Sequence, residues 1–146
     1  MEPQKSFKGH DVLHQGNWAT VLKRWLIFSL YAPLLFSLPS QPEVVKGSAS
    51  VVSENNQSLE ITTSDQAILN FESFGIGKGE MVRFVQPSRD SCVLSRVVGR
   101  EGSEIFGQLH ANGNLFLVNP QGIYFGPDAS VNVGSFVAST LNIKDE

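Results

Sequence analysis

Few residues of this chain could take part in catalysis. After residue 40, His110 and Cys92 are the single histidine and the single cysteine. A Ser-His-Asp or Cys-His mechanism would need His110 as the base, with Cys92 or a serine as the nucleophile. His110 stands before an Ala-Asn-Gly turn signal, so we interpret it as a half-exposed residue at the end of a strand. Cys92 begins a Cys-Val-Leu run, in which a lone thiol is typical of a small core residue.

Two other patterns have only a superficial likeness to ligand sites. Gly75, Gly77 and Gly79 surround Lys78 as in a phosphate loop, but no Ser or Thr follows the lysine and the next segment has the pattern of a strand. Acidic residues stand in separate turns, without the spacing of a calcium loop: Asp65, Glu72, Asp90 and Asp128. We therefore expect a turn at residues 75–79, and neither a metal nor a cofactor.

The clearest local signal is a tight turn at Asn119-Pro120-Gln121-Gly122. Proline fixes φ at the second position of a β-turn, and an asparagine side chain can accept a hydrogen bond from the backbone two residues further on. Gly122 tolerates the backbone conformation at the exit. The four residues predict a rigid, well-defined bend in the chain.

The segments between the turn signals have the period of β-strands. Apolar and polar residues alternate over residues 58–63 and 81–85, and Gly, Pro and Asn recur at short intervals. Residues 115–118 are apolar without interruption, so both faces of that strand should be covered. The pattern predicts an all-β chain and fits a sandwich, an open barrel or a solenoid of parallel strands. No fixed repeat period stands out.

Charge and composition exclude some classes of partner. Residues 41–146 contain seven Lys or Arg against twelve Asp or Glu, and the basic residues are scattered. Nucleic acids require a clustered positive field, so they are poor candidates, as are acidic lipid surfaces. The length of 146 residues and the 41% hydrophobic content are sufficient for one domain. One cysteine allows no disulfide within the chain, which suits an exported protein.

Residues 1–40 have the layout of a secretory signal peptide with a long polar n-region. Two basic residues, Lys23 and Arg24, precede a nearly continuous apolar run, and a break rich in Pro and Ser follows. The run is shorter than the roughly 20 residues that cross a bilayer as a helix, and it contains Pro33. A buried core helix and an uncleaved anchor are the alternatives. We expect cleavage near Ser40 and a mature domain at residues 41–146.

A series of blocks in a specific order lies between residues 68 and 143, with one further block before them. The blocks include an Ile-Leu-Asn-Phe segment with its glycine turn, the apolar strand with the turn that follows it, and an Ala-Ser-Thr-Leu-Asn-Ile segment. They cover residues 44–50, 68–80, 82–88, 94–97, 105–109, 111–123, 125–126, 129, 131–134 and 138–143. In order and spacing the chain resembles the amino-terminal two-partner secretion domain, also called the haemagglutination activity domain, of the filamentous haemagglutinin family.

The resemblance implies a right-handed parallel β-helix with an amino-terminal strand cap in the region of residues 44–61. It implies a secretion-recognition domain of an exported adhesin or contact-dependent toxin, which seeds β-helix folding at the cell surface and ends secreted or on the outer membrane. The implied partner is an outer-membrane transporter whose periplasmic domains read this domain, with a host or neighbouring cell surface as a further partner. No cofactor and no catalysis are implied.

The resemblance also assigns a recognition motif. Asn119, Pro120, Gln121, Gly122 and Ile123 align with the family sequence Asn-Pro-Asn-Gly-Ile, which matters for secretion. Gln replaces Asn at position 121. If the turn needs a left-handed backbone there, Gln adds strain, whereas a type I turn accepts Gln almost without cost.

One function of another class remains open. Parallel β-helices also include carbohydrate-acting enzymes, which would need a cluster of carboxylate or basic side chains on one outer face.

The family domain normally continues beyond the length seen here. We therefore expect a carboxyl end that is truncated, with a last coil at residues 131–143 whose edge exposes Phe136, Val137 and Leu141.

Overall fold

A computed structural model describes residues 38–141. The predicted signal peptide lies outside these residues except for its last three, and residues 142–146 are likewise not described. Twelve strands follow in chain order: β1 Glu43–Lys46, β2 Ala49–Asn55, β3 Ser58–Thr63, β4 Ala67–Phe71, β5 Met81–Val85, β6 Cys92–Val97, β7 Ser103–Ile105, β8 Gln108–Ala111, β9 Asn114–Val118, β10 Ile123–Phe125, β11 Ser130–Asn132 and β12 Ser135–Ser139. Between residues 38 and 141, no helix is long and apolar enough to cross a membrane.

The strands stack into the coils of a parallel β-helix with three faces. Sheet A has the order β1-β4-β6-β9-β12, sheet B the order β11-β8-β5-β3-β2, and sheet C consists of β7 and β10. Each coil passes through sheet B, sheet A and then the sheet C face. Every pairing between two strands of the set β3 to β12 is parallel. The first coil joins the sheet C face through one bridge, between Ile76 and Ile105.

Alternation along each strand produces the core, because every second side chain points into the helix. Residues that pair between coils therefore form inward columns, such as Leu59, Val82 and Leu109 in sheet B. The matching column in sheet A contains Val93 and Leu115, both fully buried. Burying one such side chain contributes about 1.5–3 kcal/mol. The stacked columns thus supply most of the stability of the domain.

Side chains and glycines stabilise the corners where the chain turns from one sheet to the next. The buried amide of Gln86 donates to the carbonyl oxygens of Ser91 (3.0 Å) and Asn114 (3.1 Å) and accepts from Gly113 N (3.1 Å), which joins the corners of two coils. At Gly107, a β-carbon would lie only 2.3 Å from the carbonyl oxygen of Glu80. Close packing of the corners therefore explains this glycine.

The amino end of the helix is closed by two antiparallel strands. β1 runs antiparallel to β4, and β2 runs antiparallel to β3. Both cap strands carry an irregularity, at Val44/Lys46 and at Ser53/Asn55, of the kind that interrupts pairing at a sheet edge. Ile61, at the end of the predicted cap region, lies in β3, the first strand of the helix itself.

The predicted β-helix with an amino-terminal cap is confirmed, and the sandwich and the open barrel are ruled out. Leu115 and Leu117 point into the core with no exposed surface, Val118 is 1% exposed, and Phe116 is half-buried on the outer side of sheet A. A fixed repeat is missing because the coils differ in length. The column of Leu59, Val82, Leu109 and Val131 shows this directly, since its members are unequally spaced in the sequence.

Candidate functional site

Residues 119–122 form the predicted tight turn, hereafter the motif turn. The N–H of Gly122 donates to the carbonyl oxygen of Asn119 (3.0 Å), and the N–H of Gln121 donates to Asn119 Oδ1 (2.9 Å). Gly122 has a φ of 111°, whereas Gln66 is the one non-glycine residue between 38 and 141 with positive φ. Gln121 therefore has the negative φ of a type I turn. Gln in place of Asn adds no backbone strain here.

The side chain of Asn119 lies in the interior with no exposed surface. Its Nδ2 donates to the carbonyl oxygen of Glu101 (3.0 Å) and to Ser103 Oγ (2.9 Å), while its Oδ1 accepts from Gln121 N. Its backbone N–H donates to the carbonyl oxygen of Ser139 (2.9 Å) in the next coil. Asn119 thus joins three successive coils, and the surface of the motif consists of Pro120 and Gln121, with Gly122 and Ile123 half-buried.

A groove of about 790 Å³, hereafter the sheet C groove, lies directly beside the motif turn. One side is formed by Leu38 and the first coil, and the other by the two segments that Asn119 joins. The lining residues are Leu38, Ser73, Phe74, Gly75, Glu101, Gly102, Ser103, Glu104, Gln121, Gly122, Ile123 and Tyr124. The predicted recognition residues 121, 122 and 123 therefore open onto a concave surface.

The sheet C groove combines acidic, aromatic and apolar groups. Glu101 and Glu104 are exposed, and Tyr124 retains 56% of its surface. Tyr124 and Glu104 are paired neighbours on β10 and β7. One side of the Tyr124 ring contacts Phe106, with the ring centroids 5.8 Å apart. Phe74 is 2% exposed and contributes the apolar base of the groove.

The residues considered for catalysis lie apart from this groove and from one another. His110 is half-buried in β8, where its Nε2 lies 3.1 Å from Gln108 Oε1. Cys92 begins β6 in the other large sheet, with its Sγ 3.7 Å from the carbonyl oxygen of Asp90. In the described part of the chain, no group of three His, Cys, Asp or Glu residues could hold a metal.

The glycine-rich segment forms the predicted turn. The N–H of Glu80 donates to the carbonyl oxygen of Gly77 (3.0 Å), and Gly79 has a φ of 81°. The buried Glu80 carboxylate accepts the N–H of Gly77 at 2.5 Å. The N–H groups of Gly77 and Glu80 therefore both form hydrogen bonds within the turn.

Three comparisons with known proteins bear on this geometry. Residues 37–146 match the family model of the TPS secretion domain, where TPS denotes two-partner secretion. The chain belongs to this family. It is 32% and 34% identical, over 107 residues, to two heme/hemopexin-binding proteins of Haemophilus influenzae, the second from strain Rd. Each alignment covers 73% of this chain but only 12% of the relative.

A solved structure supports the same assignment. The crystal structure of the HMW1 secretion domain from Haemophilus influenzae matches with a TM-score of 0.71 and 39% sequence identity, over 73% of this chain and 28% of that one. The family resemblance seen in the sequence is thereby confirmed for the TPS secretion domain. The β-solenoid common to the two chains carries the motif turn in this one.

The sequence pattern singles out residues 119–123 of this TPS secretion domain but not the residues that surround them in the fold. Leu38, Glu101, Ser103 and Glu104 were not singled out. The short strand Ser-Glu-Ile offers one weak signal, because its alternation places Ser103 on the inside with Ile105. No local pattern indicates that Ser103 would bond Asn119, which lies in the next coil.

Proposed function

We propose that this TPS secretion domain is the segment by which an exported bacterial protein is read by its partner outer-membrane transporter. The observation that carries the proposal is the construction of the motif turn. Pro120 and Gln121 are exposed on a bend whose shape is fixed by the buried Asn119. A rigid exposed bend suits recognition, because little conformational entropy is lost when a partner binds it.

The proposal extends to the course of export. The amino-terminal signal peptide would direct the chain through the inner membrane, and the periplasmic domains of the transporter would then recognise residues 119–123. At the cell surface, the capped coils would serve as the first layer on which further coils stack. The exported protein would be an adhesin or a contact-dependent toxin that acts on a host or neighbouring cell. Support comes from the family membership and from the closed amino end.

Secretion into the medium by cells that make the partner transporter tests the proposal. Replacing Pro120 and Gln121 by Ala changes the exposed part of the motif and leaves Asn119 in place, so the double variant should fold but no longer be secreted. Pro127→Ala is the matched control, since Pro127 is also an exposed turn proline. Normal secretion of the double variant would contradict the proposal, provided that circular dichroism shows the same β content in all three proteins.

A second candidate is a carbohydrate-acting enzyme, and one observation favours it. Glu101 and Glu104 line the same groove, and glycosidases use a pair of carboxyl groups. The acid of such a pair is normally held in an apolar environment, whereas both of these residues are exposed. Release of reducing sugar from polysaccharide by the wild-type chain, and its loss in Glu104→Gln, would support this alternative.

A further inference from the structure

The buried side chain of Asn119 joins two segments that form walls of the sheet C groove. One Nδ2 hydrogen bond reaches the carbonyl oxygen of Glu101, and the Oδ1 atom holds the N–H of Gln121. Residues 101–104 come from the second coil and residues 121–124 from the third. The Asn119 amide therefore adds to the pairing of β7 with β10 and to the hydrogen bond from Ser103 N–H to the carbonyl oxygen of Gly122 (2.9 Å), and it extends the connection of the two walls to Glu101 and Gln121.

The charge of the groove is one-sided. Its two ionisable carboxyl groups, on Glu101 and Glu104, face no Lys, Arg or His among the lining residues. The exposed Tyr124 ring stands next to Glu104 in register, and neighbouring strands are about 4.8 Å apart. A cationic side chain placed between them would meet a carboxylate and the face of an aromatic ring together, which are two favourable contacts for Arg or Lys.

The shape of the groove suits a chain segment. Leu38 and Phe74 supply an apolar side, and the volume falls within the range that holds several side chains. Because residues 121–123 of the motif lie in its lining, a ligand in the groove would touch the motif at the same time. The groove and the motif are therefore one continuous surface.

We propose that the sheet C groove receives an extended, Lys- or Arg-bearing segment of the transporter's periplasmic part, and that Asn119 is a positioning residue that holds Glu101 and Gln121 in place at the edge of the groove. This inference rests on the proposed function, because it names the surface by which the transporter reads the domain. Glu101, Glu104 and Tyr124 contact the basic side chain. Asn119 makes no contact with the partner, and its importance is indirect.

Binding of the secreted chain to the purified periplasmic part of its transporter tests whether the two carboxylates of the groove contribute to recognition. Glu101→Gln with Glu104→Gln removes both carboxylates without changing size, and should weaken binding about tenfold at low salt. The deficit should shrink as salt is raised, since exposed charges are screened. Glu43→Gln with Glu54→Gln, on the amino-terminal cap, is the matched control and should bind like the wild type. Equal affinity of the two double variants would overturn the inference.

Asn119→Asp tests the positioning role. Aspartate can still accept the N–H of Gln121, but it cannot donate to the carbonyl oxygen of Glu101. We expect weaker binding, together with faster amide hydrogen exchange at residues 101–104, while exchange in β6 and β9 stays slow. A variant with fast exchange at residues 101–104 but wild-type affinity would overturn the role of Asn119. If this variant fails to fold, Ser103→Ala removes a single acceptor of the same amide and is judged by the same two readouts.

The two proposals fail in different ways. If the wild-type chain neither binds the transporter nor depends on it for secretion, the proposed function is wrong. The other outcome is that the wild type binds, the Pro120/Gln121 variant does not, and the Glu101/Glu104 variant binds normally at every salt concentration. In that case recognition of the motif is upheld, but the sheet C groove does not bind a basic segment.

Discussion

At position 119, one amide makes three hydrogen bonds inside the protein, two as donor and one as acceptor. Asn112 has a comparable sequence context, yet it is exposed and bonds the backbone of Gln86 through both its Oδ1 and its Nδ2. The sequence predicts that each asparagine lies at a turn. It does not predict which one is buried, because the partners of each come from the preceding coil and the coils differ in length.

The buried bonds of Asn119 lead to a prediction about stability. Asn119→Ala leaves the carbonyl oxygen of Glu101 and the hydroxyl of Ser103 without this donor, and should lower the free energy of unfolding by about 2–4 kcal/mol. Gln121→Asn restores the usual family residue at an exposed position of negative φ. This substitution should change the free energy of unfolding by less than about 0.5 kcal/mol. Urea denaturation of both variants measures the two effects. Similar losses of stability in both variants would contradict the prediction, because they would mean that the buried Asn119 amide contributes no more than the exposed turn residue.

At the scale of the strands, alternation predicted which side chains enter the core, but not what they meet there. Leu117 was expected to be buried and is. Ser95, directly beside it in the same column, is equally buried, and its Oγ has no hydrogen-bond partner within residues 38–141. The sequence shows Ser95 at an inward position of β6. Whether this hydroxyl has a hydrogen-bond partner depends on the neighbouring coils, whose register does not follow from the sequence.

This column gives two substitutions with opposite expected effects. Leu117→Asp places an unpaired charge in the core and should cost more than about 4 kcal/mol, enough to unfold the domain. Ser95→Ala removes an unpaired hydroxyl and should leave the domain unchanged or stabilise it by up to about 1 kcal/mol. Thermal unfolding distinguishes the outcomes, and a clear loss of stability in Ser95→Ala would show that the hydroxyl has a partner in solution.

The first described segment suggests where the mature chain begins. Ser40 bonds Ser73 through its backbone N–H (3.0 Å) and accepts the N–H of Ser73 at its Oγ (3.1 Å), Pro39 is buried, and Leu38 lies against the core. Cleavage next to Ser40 would remove Leu38 from the sheet C groove. We therefore expect the first residue of the exported protein to be Leu38 or an earlier one. Intact-mass measurement decides, and a chain that starts at Gln41 would refute this expectation.

On the scale of the whole molecule, the two ends of the helix differ. The amino end carries a cap with irregular pairing, whereas β10, β11 and β12 each stand at one end of their sheets. Val131 and Val137 are 38% and 43% exposed there, and Leu141 is 77% exposed. Val137 and Leu141 are exposed as the sequence predicted, whereas Phe136, also expected at the exposed edge, is half-buried against the core and contacts the Phe125 ring. An open edge offers unpaired N–H and C=O groups to other chains.

Within residues 38–141 no further strand pairs with β10, β11 or β12, so we expect the 146-residue chain to self-associate when it is made by itself. Sedimentation should show species larger than a monomer that grow with concentration. Val131→Lys with Val137→Lys puts charges beside the edge, a common protection against pairing, and should shift the population towards the monomer. A monomer that sediments independently of concentration, with cooperative melting, would show that the edge is closed in solution.

The unequal coils have a consequence for errors in folding. In a solenoid of identical repeats, a chain that slips by one whole repeat buries almost the same side chains, so the mistake costs little. Here the corner between β5 and β6 spans residues 86–91, whereas the one between β8 and β9 spans only residues 112–113. A slipped coil would separate the buried Gln86 amide from Asn114 and Gly113 in the next coil and leave two of its three hydrogen bonds unmade. Each coil therefore pairs correctly at only one position in the stack. The irregular coils at the amino end can thus fix the register of any coil that stacks on them.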